Sequence, residues 1–280
     1  MAAGAVAMEA GDAFICAGVE SMTRVPMMGF NPMPNASMRD IRPGAYVSMG
    51  DTAENVAGKF SIDRTTQEAF AVTSHQKAAA ALADGRLNDE MVSIGDGDKA
   101  VAVDGCIRAD TTAATLAELK PAFSAEGTVT AGTSSPLTDG AAAVLVCSEA
   151  FARSEGLPIL ARIKAIAGAG CEPEIMGMGP VHATHKVLER SGVALDDIDI
   201  FELNEAFASQ ALACMSELGI NADKVNLDGG AIALGHPLGA TGARITGKAA
   251  ALLAREGKRY ALATQCIGGG QGIATLLEAP

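Results

Sequence analysis

Two clusters in the last fifty residues carry side chains that could do chemistry together. His236 stands in Gly235-His-Pro-Leu-Gly-Ala-Thr-Gly242, and Cys266 opens Cys266-Ile-Gly-Gly-Gly-Gln-Gly272. An imidazole can take up a proton, and a thiol can attack a carbonyl or pass a proton on. A single histidine is more often structural, so its setting decides its weight. An apolar run from Lys224 to Leu227 leads into the turn and an Ala-rich helix from Ala243 to Arg255 leads out. That places His236 at a helix mouth, where unpaired N–H groups and the positive end of the dipole collect. Glycines at 235, 239 and 242 would let backbone or ligand come close. Three consecutive glycines after Cys266 sacrifice stability to present backbone N–H groups, and Gly268 could offer one to a developing oxyanion. No Gly-Lys-Ser/Thr follows either cluster, so neither is a Walker-type phosphate loop.

Two further segments are polar where ligands gather. Asn204-Glu-Ala-Phe-Ala208 ends an apolar strand, where Asn204 is either a helix cap or a ligand contact. Thr133-Ser-Ser-Pro-Leu-Thr-Asp139 is a polar turn that could equally be an ordinary loop. Metal chemistry is not expected, because His75, His182, His185 and His236 are dispersed and no Cys-x-x-Cys pair occurs. A net charge of −12 argues against a nucleic-acid surface. Six single cysteines read as reduced thiols, most of them small core residues, in a reducing compartment such as the cytoplasm. No apolar run reaches spanning length and no basic leader precedes one, so no membrane contact is expected.

The elements that must hold these residues alternate. A helix over residues 1–11, ending at Gly11, precedes an apolar strand at 13–18. Loop from 24 to 50 gives way to a helix at 53–60 capped by Asp51, and to a long helix over 63–85. Weak strands at 91–94 and 100–104, a helix at 115–119 and a strand at 141–147 follow. The second half reads as strands at 159–168, 198–203, 224–228, 260–264 and 273–277, with helices at 180–191, 206–218 and 240–255. Such alternation predicts a doubly wound α/β sheet. Residues 1–22 share a plan with 243–268, and 140–150 with 272–280, which points to a duplicated α/β unit whose first copy is interrupted.

Taken in order, these blocks resemble the thiolases. The resemblance rests on Asn204-Glu-Ala-Phe-Ala, Gly235-His-Pro-x-Gly-x-x-Gly242 and Cys266-x-Gly-Gly-Gly270. It is supported by Ala17-Gly-Val-Glu-Ser-Met22, Met49-Gly-x-Thr-Ala-Glu54, Gly132-Thr-Ser-Ser135 and Met176-Gly-x-Gly-Pro180. It implies an α/β fold of duplicated halves with layered sheets and helices, the first half incomplete. Residues 1–22 and 139–156 would be the remainder of that half, 23–138 an inserted loop domain, and 157–280 the C-terminal half.

The resemblance also implies a reaction: thiolytic cleavage of 3-ketoacyl-CoA, or the reverse Claisen condensation. Coenzyme A and acyl-CoA would be substrates, with no tightly bound cofactor, and the chain would form homodimers or homotetramers. His236 would activate a nucleophilic cysteine, and Cys266 would move the proton of the substrate carbon. Asn204 with His236 would form one oxyanion hole and Gly268 part of a second. Ser135, Met49 and Met176 would line the substrate and coenzyme A site. The family nucleophile would fall a few residues before Met1, so Met1 would be an internal methionine of a longer helix. Two other readings compete: an acyl-CoA-binding or subunit protein without turnover, and a hydrolase using Cys266 as nucleophile.

Overall fold

The computed structural model describes residues 1–27 and 29–280. In chain order the elements are α1 (Ala2–Ala7), β1 (Ala13–Ser21), α2 (Ala36–Ile41), α3 (Met49–Lys59), α4 (Arg64–Ala83), α5 (Ala113–Ala117), β2 (Asp139–Cys147) and α6 (Glu149–Ser154). The second half holds β3 (Arg162–Gly170), α7 (Gly179–Ser191), β4 (Ile200–Leu203), α8 (Ala208–Leu218), α9 (Ala231–Leu234), α10 (Leu238–Glu256), β5 (Tyr260–Ile267) and β6 (Gln271–Glu278). Among the described residues no helix is long and apolar enough to cross a membrane.

Two sheets form. The larger has the order β3-β6-β5-β4, and the smaller pairs β1 with β2. Only β4 and β5 run parallel; β5–β6 and β6–β3 are antiparallel. The α/β class holds, but the doubly wound sheet read from strand–helix alternation is corrected to a mixed sheet. The reason is local: β5 returns as β6 through the glycine triplet, with Ile267 opposite Gln271, so the alternation ends in a tight hairpin. A hairpin can join only antiparallel strands. The helix–strand plan seen twice in the sequence has a counterpart here. β1 pairs antiparallel with β2 over nine residues and β5 with β6 over eight, although residues 22–138 intervene between β1 and β2.

The expected strand at 224–228 does not form. Val225 makes a single bridge to Phe201, and Asn226 turns back with φ 47°. Its side chain does the pairing instead: Asn226 Nδ2 donates to Leu203 O at 2.9 Å and Leu203 N donates to Asn226 Oδ1 at 3.0 Å. One amide thus satisfies the donor and acceptor of an edge strand. The weak strands near 91–104 reduce to one bridge, Ile94 to Val101. Ser48, not Asp51, caps α3, accepting from Asp51 N. At the first helix the left-handed residue is Glu9 (φ 56°), not Gly11, and the helix stops at Ala7.

The main core lies between the larger sheet and α7 and α8. It includes Val187, Ile198, Phe201, Leu203, Ala211, Leu262 and Leu276. The opposite face of the same sheet packs on α10 through Ile200, Ile245, Leu252, Leu253, Ala261, Ala263 and Leu277. Each buried leucine contributes about 2 kcal/mol by removal from water. α10 also lies against β1 and β2, so this one helix carries both sheets and delivers His236 between them.

Candidate active site

His236 sits at the entry to α10, preceded by Gly235 at φ 94°. A side chain at 235 would meet Thr138 at 2.6 Å, and one at 239 would meet the carbonyl of Val19 at 2.6 Å. Both positions therefore need glycine, while position 242 stands open, with only Gln265 Nε2 near at 3.7 Å. His236 is held at its backbone and at both ring nitrogens. His236 N donates to Thr138 Oγ1 at 3.2 Å, Nδ1 lies 2.6 Å from Thr241 Oγ1, and Nε2 lies 3.3 Å from Asn204 Nδ2.

These contacts assign the tautomer. Thr241 Oγ1 donates its own hydrogen to Pro237 O at 3.0 Å, so toward the ring it can only accept. Nδ1 then carries the proton, and Nε2 keeps its lone pair toward the Asn204 amide. Burial, joined by the Arg244 cation, pushes the histidine down to about 4. At neutral pH the ring is an uncharged base with Nε2 facing inward.

Asn204 is fixed by its strand, its N–H donating to Thr264 O at 3.0 Å. Behind it, buried Glu205 braces the turn. It accepts from Ser74 Oγ at 2.7 Å, Asn226 Nδ2 at 2.8 Å and Ile232 N at 3.1 Å, and Gly230 N donates to Ser74 Oγ. The chain from 226 to 236 is thereby tied to the end of β4. A carboxylate kept in place by three donors orients the loop but is shielded from any ligand.

Cys266 ends the same sheet one strand away. It is buried in an apolar cluster with Ala53, Val129, Met176, Ala206 and Phe207, and Met49 packs against it. Burial pushes its thiol up to about 12, so at neutral pH it is an S–H able to give a proton. Gly268 has Met49 as its nearest neighbour, 3.9 Å from an added side chain. Gly269 and Gly270, with φ of 84° and 88°, turn the hairpin. The glycine triplet thus serves the backbone turn at two positions.

The structure gathers the residues singled out in the sequence into local groups. His236 and Asn204 touch directly, and Met49 and Met176 share the Cys266 cluster. Ser135 joins the Asn204 segment, its N and Oγ both donating to Ala206 O at 3.0 Å. Thr138 and Thr241 were missed as single residues, though both lie inside segments already flagged. Glu205 and Asn226 were missed because hydrogen bonding between distant segments leaves no local spacing. Among the described residues no cluster of histidine, cysteine and carboxylate side chains could hold a metal.

Known proteins resemble the chain over nearly its whole length. Residues 1–150 match the thiolase N-terminal domain and residues 157–279 the thiolase C-terminal domain. A 3-ketoacyl-CoA thiolase of Bacillus subtilis is 46% identical over 99% of this chain and 74% of its own length. The dimeric peroxisomal thiolase of Saccharomyces cerevisiae superposes with a TM-score of 0.91 at 41% identity, covering 99% of this chain and 72% of that one. Human mitochondrial 3-ketoacyl-CoA thiolase, in a structure with CoA, gives 0.89 at 38% identity, covering 99% and 73%. With both family domains matched across nearly the whole chain and a relative 46% identical over 99% of it, the chain belongs to the thiolase family of acyltransferases.

Proposed function

We propose that the protein exchanges acyl groups between coenzyme A thioesters at carbon, cleaving 3-ketoacyl-CoA with coenzyme A or running the reverse condensation. The observation that carries this reading is a neutral, tautomer-fixed His236 held against Asn204 just beyond the end of β4, with a protonated, buried Cys266 on the neighbouring strand β5. In the cleavage direction a thiol gives its proton to Nε2 and its sulfur adds to the C3 ketone. The C2–C3 bond then breaks and its electron pair moves into the thioester as an enolate. Cys266 delivers a proton to C2, releasing the two-carbon thioester. Coenzyme A then gives its thiol proton to the Cys266 thiolate while its sulfur takes the acyl group from the first thiol. That thiol leaves with the proton held on Nε2, and the shortened thioester is formed. Both oxygens that gain charge need donors in place beforehand. We assign the Asn204 amide beside His236 to one and the Gly268 N–H to the other.

Met49 and Met176 make an apolar wall against which an acyl or pantetheine chain can lie, and Ser135 borders it. The chain divides, on this reading, into residues 1–22 with 139–156, the inserted 23–138, and 157–280. Free thiols at all six cysteines fit a reducing cytoplasm. The reading also makes the protein a homodimer or homotetramer.

The test is thiolysis of a 3-ketoacyl-CoA in the presence of coenzyme A. His236→Ala should lower kcat/KM by about 10²–10⁴ through loss of the base. Hydrolysis that proceeds equally well without coenzyme A would replace this reading with a Cys266 hydrolase.

A further inference from the structure

On β1 the row that lies on α10 runs Cys16, Gly18, Glu20, while Ile15, Ala17 and Val19 occupy the other face and are exposed. A carboxylate is the odd member of a row that faces a helix. Its place follows from how closely the strand and the helix approach. A side chain at 18 would strike the carbonyl of Gly239, and one at 239 would come within 2.6 Å of the carbonyl of Val19. Backbone touches backbone, so glycine is required on both sides, and the next residue of the row, Glu20, reaches the first turn of α10. On the paired strand, Gly140 stands opposite Glu20 and lies against Pro237, whose ring would be 3.0 Å from an added side chain.

That first turn has no cap of its own. α10 starts after Pro237, which carries no side-chain oxygen, and no capping bond is made from that position. The bonds within the turn converge on Pro237 O, which accepts from Ala240 N at 2.8 Å, Thr241 N at 3.0 Å and Thr241 Oγ1 at 3.0 Å. Gly239 N is one of the donors that a helix start leaves without an internal partner. It donates instead to Glu20 Oε2 at 3.1 Å, across 219 positions of sequence. A carboxylate suits the positive end of a helix dipole as well as the N–H itself. The same turn orients the catalytic ring, because Thr241 Oγ1 accepts from His236 Nδ1 at 2.6 Å. Contacts therefore run without a break from the Glu20 carboxylate to the Gly239 N–H, through one turn closed on Pro237 O, to the Thr241 hydroxyl and the imidazole.

We propose that Glu20 is a positioning residue of the reaction, a distant cap that fixes the first turn of α10 on β1 and through it the Thr241 hydroxyl and the His236 ring. The inference rests on the reading of His236 as the base. Glu20 is only half-buried, and its bond to Gly239 is open to solvent, where charge is screened. What the turn requires is an acceptor at that place, and an amide oxygen can serve there too.

The experiment compares the whole parent chain with Glu20→Ala and Glu20→Gln in three measurements: thiolysis kinetics, hydrogen exchange at the Gly239 amide, and nitrogen NMR of the histidine rings. The His236 signal is assigned by its loss in His236→Gln. In Glu20→Ala the Gly239 amide should exchange about tenfold faster. The His236 ring should pass from one tautomer, protonated at Nδ1, to a mixture. The kcat for thiolysis should fall about three- to tenfold, the worth of one hydrogen bond, with KM for the thioester unchanged. Glu20→Gln should bring all three back to the parent behaviour. Glu20→Asp, which keeps the charge but falls one methylene short of the N–H, should behave like the alanine variant and replaces it if that variant does not fold. A parent-like tautomer and kcat in both shortened variants overturn the proposal, as does a glutamine variant as impaired as they are. If the tautomer shifts as expected while thiolysis is unaffected, the reading of His236 as the base falls and the hold of Glu20 on the ring stands.

Discussion

The two sheets share one helix and differ in what covers them. β4 is buried on both faces, and most of β5 is too, enclosed by α7 and α8 on one side and α10 on the other. β1 and β2 lie on α10 and α1 with one face, while the other shows Ile15 at 78%, Val19 at 73% and Leu145 at 50% exposure. The site residues that must hold a geometry, Asn204, His236 and Cys266, all come from ends of elements in or beside the enclosed sheet. The half-covered sheet supplies neighbours: Thr138 just before β2 supports His236, and Glu20 on β1 accepts from Gly239 N at 3.1 Å. Rigid scaffolding and chemistry coincide in the half that can best fix a side chain.

That contrast can be broken in several ways. The largest effect should come from His236→Ala, with kcat/KM for thiolysis down about 10²–10⁴. Ile15→Ala on the open sheet should leave it within a factor of about two. In denaturant melts Leu276→Ala, within the enclosed sheet, should cost about 2–5 kcal/mol, against less than about 0.5 kcal/mol for Ile15→Ala. Equal losses at the two positions would remove the distinction between the sheets.

Acid should act through the enclosed half as well. His236 is held below its unfolded value, so the unfolded chain binds its proton first as pH falls. Stability is unaffected above about 6.5 and declines as pH drops toward about 4, by up to about 3 kcal/mol for a shift of that size. Glu202 works in the opposite direction. Its folded value is raised, so stability is fully present below the ordinary carboxyl range and is lost as pH rises through about 8. Melts of His236→Gln should lack the acid decline and those of Glu202→Gln the alkaline one. A smaller loss of activity than at His236 is expected for Thr241→Val, which removes the acceptor of Nδ1–H. Loss of one hydrogen bond of about 1–1.5 kcal/mol should lower kcat about tenfold without changing KM.

Much of the site was legible because its chemistry is local in sequence. Gly235-His-Pro and Cys266 with its glycines announce themselves by residue type, and the structure adds how each is held. What stayed hidden depends on partners far along the chain. Asn226 reads as part of an apolar strand, yet its amide replaces that strand by pairing with Leu203. The sheet's direction was misread for a related reason: alternation of strands and helices does not say which strand returns by hairpin.

The central claim is that a protonated Cys266 passes the proton to and from the substrate carbon while His236 serves the thiol. It is tested most directly by incubating acetyl-CoA with the protein in deuterated water and following label at the acetyl methyl group, for the parent chain and for Cys266→Ala. The account predicts exchange in the parent, loss of exchange in Cys266→Ala, and acyl transfer between thiols retained in that variant. Exchange at the parent rate in Cys266→Ala would contradict it.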